Sequence, residues 1–209
     1  MRIYMRRLVV LLGVIGVSAI ATAPAQAGTL SDTATSCQNR TLERPFTRWL
    51  DPLKYVLAPN GGFESGTKQW TITGGAYVVS GNESWRVHSS TDSHSLYLPS
   101  GSSATTRAVC VETLDLVARF FALNRGGLLS LLKVDAVFET PLGETVVVPA
   151  GVVAGSGKWQ PTLPMLAVGN LTSVLNANGE AAVAFRFTPI GLGARWQIDD
   201  VYVDPLKNG

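Results

Sequence analysis

Asn60-Gly61-Gly62-Phe63-Glu64-Ser65-Gly66, leading to Trp70, and Trp196-Gln197-Ile198-Asp199-Asp200-Val201-Tyr202-Val203 stand towards opposite ends of a 209-residue chain and decide how it is read. Both look like strands that bound a single β-sandwich, the first entered through a Gly-rich turn, the second closing the sheet. If they are neighbours, Glu64 meets the pair Asp199 and Asp200. Three carboxylates brought together in this way are suited to holding a cation.

The chain between these bookends supports the same class. From Leu53 onward short segments rich in Val, Thr, Phe and Trp are punctuated by Gly, Pro, Asn and Ser, as in an all-β sandwich. Ten strands are expected: 53–58, 69–73, 76–80, 95–99, 105–111, 118–123, 129–139, 145–150, 181–189 and 194–203. That number at that spacing predicts an all-β, two-sheet jelly-roll β-sandwich with an extended N-terminal arm and one short helix. The helix, one or two turns around Leu171, is expected because Met165, Leu166, Leu171, Val174 and Leu175 suit one helical face. In Ala184-Phe185-Arg186-Phe187 the period of two turns Arg186 away from both rings. Gly126-Gly127 and Gly155-Ser156-Gly157 read as hairpin turns.

Three parts are expected along the chain: a signal peptide over 1–27, an extended arm over 28–56 and the sandwich over 57–209. Arg2, Arg6 and Arg7 precede an apolar run from Leu8 to Ala23 and a small-x-small site at Ala25-Gln26-Ala27. Pro45 and Pro52 break the arm, whose Phe46 or Trp49 is expected to dock as an apolar anchor. Without the signal, 17 basic residues become 14 against 15 acidic ones, a net charge of −1. With no Lys/Arg run, neither nucleic acid nor, after cleavage, a membrane is an expected partner. The two cysteines, Cys37 and Cys110, are most simply one disulfide in an exported chain, free buried thiols being the alternative.

No constellation of residues points to catalysis, and the chain reads as not an enzyme. The two histidines, His88 and His94, share a Ser-rich stretch, and no G-x-S-x-G elbow is present. Asp92 beside His94 resembles an oriented base, although a polar connecting loop explains the same composition. Zinc would require three or four His or Cys ligands, which His88 and His94 beside an oxidised cysteine pair cannot supply.

The bookends resemble the galactose-binding-like jelly rolls that include many secreted carbohydrate-binding modules, over about Leu57 to Pro205. Interior phrases such as Ser80-Gly81-Asn82-Glu83 are similar to a group of uncharacterised secreted actinobacterial proteins. The resemblance implies a structural calcium ion held by Glu64 and by Asp199 or Asp200 together with main-chain carbonyls, since calcium takes six to eight oxygens. The alternative is that Glu64 and Asp200 cap turns or pair with Arg195. It also implies a secreted, non-catalytic module that recognises carbohydrate or another cell-envelope component. A structural or protein-interaction protein of the envelope is the rival reading. Trp70, Trp196, Phe63, Phe185 and Phe187 have core positions, which leaves Trp85, Tyr77, Tyr97 and Trp159 to stack on sugar rings. Trp85 is the foremost of these, the alternative being a rim aromatic that covers the sandwich edge.

Overall fold

The computed structural model describes residues 30–38, 40–112, 117–167 and 172–204. The expected signal segment 1–27 lies outside them. A helical turn, α1 (Leu30–Thr33), begins the described chain, and a 3-10 turn follows at Thr47–Trp49. Thirteen strands come next. They are β1 (Val56–Leu57), β2 (Trp70–Thr73), β3 (Tyr77–Ser80), β4 (His94–Leu98), β5 (Ser103–Thr106), β6 (Val109–Val111) and β7 (Val117–Asn124), and then β8 (Leu131–Glu139), β9 (Thr145–Ala154), β10 (Gln160–Pro161), β11 (Met165–Leu166), β12 (Ala181–Ile190) and β13 (Trp196–Asp204).

The strands form two antiparallel sheets, so the protein is an all-β, two-sheet jelly-roll sandwich. One sheet runs β10-β7-β13-β4-β3, with β1 added to β13 and β11 to β7. The other runs β2-β5-β12-β8-β9, with β6 on β12. Leu171 itself lies outside the described residues, and the described residue that follows it begins the 3-10 turn Thr172–Val174. The glycines expected in hairpins lie elsewhere. Residues 125–130 and 155–159 carry the chain from one sheet to the other, because β7 and β8, like β9 and β10, belong to different sheets.

The bookends are neighbours. The Ala58 N–H donates to the Val201 carbonyl at 2.8 Å, and the Val201 N–H to the Gly61 carbonyl at 3.2 Å. Asn60 organises the intervening turn with a left-handed φ of 54°. Its side chain donates to the carbonyls of Gly66 and Lys68, both at 2.8 Å, and accepts the Ser65 N–H at 3.0 Å. The Trp70 indole then donates to the Asn60 carbonyl at 3.1 Å, so the motif holds its own aromatic strand in place.

Between the sheets lie Phe63, Trp70, Phe120, Phe138, Phe185, Phe187 and Trp196, all buried. The Phe63 and Trp70 rings are 4.7 Å apart, and Phe120 meets Phe187 edge-on at 5.0 Å, separations at which aromatic pairs add to the effect of area burial. Arg186 faces out between the two phenylalanines that flank it and reaches Asp135 on β8 at 3.2 Å. A second cluster, Phe46, Tyr55, Phe121 and Tyr202, sits on the outer face of the seven-stranded sheet under the arm. Phe46 is the anchor and is fully buried, with Trp49 half-buried beside it. The arm also carries Cys37, whose disulfide to Cys110 of β6 joins positions 73 residues apart. Among the described residues no helix is long and apolar enough to cross a membrane.

Candidate functional site

The last strand carries the acidic residues because its alternation is interrupted. Trp196, Ile198, Val201 and Val203 pack into the core. Two residues lie between Ile198 and Val201 where strict alternation has one, so one is inserted, and the register on β7 shifts between Asp199 and Tyr202. The insertion is a β-bulge with Asp200 at φ 45°, and it directs both aspartates away from the core in succession.

Both aspartates face residues 81–92, which fold over the outer face of the seven-stranded sheet. Asp199 accepts the Glu83 N–H through Oδ2 and the Asp200 N–H through Oδ1, each at 2.9 Å. Asp200 Oδ2 accepts the His88 N–H at 3.3 Å, a loop contact in place of an Arg195 salt bridge. Glu83, fully buried, closes the loop on itself by accepting the amides of Trp85 and Val87 at 2.5 Å each. Asp92 is buried at the loop's end.

Four carboxylates are thus withdrawn from water with little cationic compensation. Burial, then the charge of Glu83, pushes Asp200 up to about 7. Burial, then the charge of Asp200, pushes Asp199 up to about 9. Glu83 and Asp92 are raised as well, mainly by burial. Three buried oxygens here have no hydrogen-bond partner: Asp200 Oδ1, Asp92 Oδ2 and Asn82 Oδ1. The first two point to one place. A Cβ on Gly62 would lie 3.1 Å from Asp200 Oδ1 and 3.6 Å from Asp92 Oδ2, which leaves glycine as the residue that fits.

This donor set suits a hard, oxygen-seeking cation of the calcium type, with backbone oxygens and water completing the shell. Its members differ from the expected set. Glu64 uses both oxygens on the turn before β4, accepting the Ser93 and His94 amides at 2.7 and 2.8 Å and meeting His94 Nδ1 at 2.9 Å. Asp199 is likewise committed to main-chain amides. Of Glu64, Asp199 and Asp200, only Asp200 keeps a free oxygen, and Asp92 is the carboxylate placed opposite it. Sequence reasoning set Asp92 aside because a Ser-rich loop explained it. Among the described residues the only group of three or more whose His, Cys or carboxylate ligand atoms gather within 4.8 Å is Cys37, Cys110 and Glu180, and its two sulfurs are bonded to each other.

His94 is oriented by Glu64 and not by Asp92. The Ser93 hydroxyl lies 3.0 Å from the same ring nitrogen that meets Glu64, so the three do not form a hydroxyl–imidazole–carboxylate relay through opposite nitrogens.

The aromatic residues singled out in the sequence share the outer face of the seven-stranded sheet. Tyr77 pairs with Tyr97, Tyr97 with Gln197, and Gln197 with Leu123, a row across β3, β4, β13 and β7. Trp159 extends the row, because it immediately precedes Gln160, which pairs with Ala122. At ~4.8 Å per strand the row is ~19 Å long. Tyr77 is 53% exposed, and its ring lies 5.2 Å from that of the half-exposed Tyr97. Arg125 Nε donates to Gln197 Oε1 at 2.9 Å in the middle of the row. Trp85 lies one step along the sheet, its ring 5.6 Å from Phe121 and edge-on to Trp49 at 5.2 Å. Both Trp85 and Trp159 are half-buried against the second cluster, so each combines a packing contact with an open face. The outer face of the other sheet carries Thr73, Ser103, Arg186 and Asp135 in place of aromatic rings.

A two-sheet jelly roll with a bulged, carboxylate-bearing last strand and an aromatic row on one face is the class these observations define. No family model matches the chain, and no curated protein does. Solved structures similar to it include carbohydrate-binding modules with jelly-roll folds. The CBM22-1–GH10 modules of endo-1,4-beta-D-xylanase 10B from Clostridium thermocellum, complexed with xylohexaose, are 14% identical with a TM-score of 0.49 over 74% of this chain. The chain spans 29% of the length of that xylanase structure. The xylan-binding CBM22-1 domain of Paenibacillus barcinonensis Xyn10C is 17% identical with a TM-score of 0.47, covering 71% of this chain and 94% of its own. A family 11 carbohydrate-binding module of a cellulosomal cellulase from Clostridium thermocellum is 9% identical with a TM-score of 0.43, over 75% and 98%.

Proposed function

We propose that the protein is a secreted, non-catalytic recognition module that binds carbohydrate across the outer face of its seven-stranded sheet. The supporting observation is the row from Tyr77 to Trp159. Exposed aromatic faces offer stacking surfaces for the apolar faces of sugar rings. The exposed Arg125, set between them and held by the buried Gln197, offers a polar group for hydroxyls, a division of labour usual in binding sites. A row crossing several strands suits an extended saccharide better than a single sugar.

In this reading the acidic cluster is structural. A calcium ion held by Asp200 and Asp92, with Asn82 and main-chain oxygens, neutralises the buried charge and fixes residues 81–92, which carry Trp85 to the edge of the row. The ion supplies charge and geometry only.

A glycan array tests the reading. Binding to one saccharide class by the wild-type chain, lost in Tyr97→Ala and weakened in Trp85→Ala, is the expected outcome. A blank array together with capture of one dominant envelope protein would replace it with the protein-interaction role.

A further inference from the structure

We infer that one end of the sandwich is a docking tip for anionic lipid surfaces, built from Leu128, Leu129 and Leu192 within a basic surround of Arg125, Lys158 and Arg195. These leucines are 100%, 68% and 83% exposed. Large apolar side chains so open and so close together mark an interaction surface.

The tip is held in shape by its backbone. The Arg125 N–H donates to the Arg195 carbonyl at 2.8 Å, and the Arg195 N–H to Ser130 Oγ at 3.3 Å, so residues 125–130 and 191–195 are laced together. Gly191, at φ 95°, lies so close to its neighbour that a Cβ there would fall 2.0 Å from the Leu129 carbonyl oxygen. The buried Asn124 brings in the third loop, its side chain donating to the carbonyls of Ser130 and Gly155 at 3.3 and 3.1 Å while its N–H donates to Ser156 at 3.1 Å. The leucines therefore project from an ordered platform.

Charge selects the partner. Strand register puts five connections at this end, 74–76, 99–102, 125–130, 155–159 and 191–195. Together they contain Arg125, Lys158 and Arg195 and no Asp or Glu. The chain as a whole is nearly balanced, with 17 basic and 15 acidic residues, so this end is set apart from the rest. Apolar side chains ringed by cations fit a bilayer surface carrying anionic headgroups, where the leucines enter the acyl boundary and the cations remain among the phosphates. The sequence has no basic run because the fold collects these residues from separate loops.

The test is amide hydrogen exchange of the whole chain with vesicles of phosphatidylglycerol and phosphatidylcholine, compared with phosphatidylcholine alone. A local readout is needed because Leu8 to Ala23 is itself apolar. Slowed exchange in 125–130 and 191–195 is expected with the anionic vesicles, falling with added salt. L128S/L129S/L192S should weaken that protection roughly tenfold or more in lipid concentration while keeping the wild-type melting midpoint, since all three side chains are solvent-facing. R195A/K158A, which keeps Arg125, should bind more weakly and with a smaller response to salt. Exchange in these loops that is unchanged by anionic vesicles would overturn the inference. So would a wild-type response in the leucine variant, or protection that tracks protein concentration without lipid, which would assign the tip to a second copy of the chain.

Discussion

Asp200 and Asp92 each turn a partnerless buried oxygen towards the position that a side chain on Gly62 would occupy. Two carboxylates in that relation without a cation favour protonation, and both are raised from their ordinary values.

The pH dependence of stability follows. A carboxyl group raised in the fold contributes stability that is complete below its unfolded value and is lost as pH rises through the folded one. For Asp200 that window runs from the ordinary carboxyl value of 3.8 to about 7, and for Asp199 from 3.8 to about 9. In chelator the unfolding free energy should therefore fall between pH 5 and pH 8, by an amount on the order of a few kcal/mol, and the melting midpoint with it. Calcium should restore it at pH 8 and do little at pH 5, where protons already occupy the site. Asp200→Asn should raise the chelated midpoint at pH 8 and abolish the calcium response. Differential scanning calorimetry in the four conditions checks this, and a midpoint indifferent to calcium at pH 8 removes the ion.

The arm should depend on the Arg119–Asp51 pair, 2.5 Å apart with both side chains nearly buried. Burial pushes Asp51 up, but the hydrogen bonds from Tyr55 and Arg119 outweigh it and hold the carboxyl below its usual value. Arg119 also lies 4.2 Å over the Phe46 ring. Arg119→Ala leaves a buried carboxylate unpaired and should cost about 3–5 kcal/mol in urea unfolding. Replacing both members with apolar residues should recover much of that loss. Because Asp51 is depressed, its contribution is present at neutral pH and fades in acid.

The disulfide ties the arm to the sandwich across a 73-residue separation. In the chain-entropy model a loop of this size contributes about 4 kcal/mol. Paired replacement of Cys37 and Cys110 by Ser should lower the melting midpoint by roughly 10 °C in a chain of this length. An unchanged midpoint would mean that Phe46 and the Arg119–Asp51 pair alone secure the arm.

Much of the fold was legible because its signals are local. Alternation around Arg186 set the faces of β12, the Asn60 turn marked the opening bookend, and cysteine parity marked the disulfide. The site was less legible because its decisive relations are not local. The bulge that turns Asp199 and Asp200 out together has no composition signal. The choice of Asp92 over Glu64 as the neighbour of Asp200 depends on how residues 81–92 fold back. The Gly-rich stretches at 126 and 155 read as hairpins because glycine marks a turn without saying whether the chain returns to its own sheet or crosses to the other. Likewise the row from Tyr77 to Trp159 exists only once the strand order is known.

Titration calorimetry of the wild-type chain, Tyr77→Ala and Tyr97→Ala against a panel of soluble oligosaccharides tests the central claim most directly. The account predicts that one class of extended saccharide binds the wild type and that each tyrosine variant binds it at least roughly tenfold more weakly, with an unchanged melting midpoint because these rings lie outside the core. Binding that is undiminished in both variants, or no binding across the panel by the calcium-loaded wild type, would contradict it.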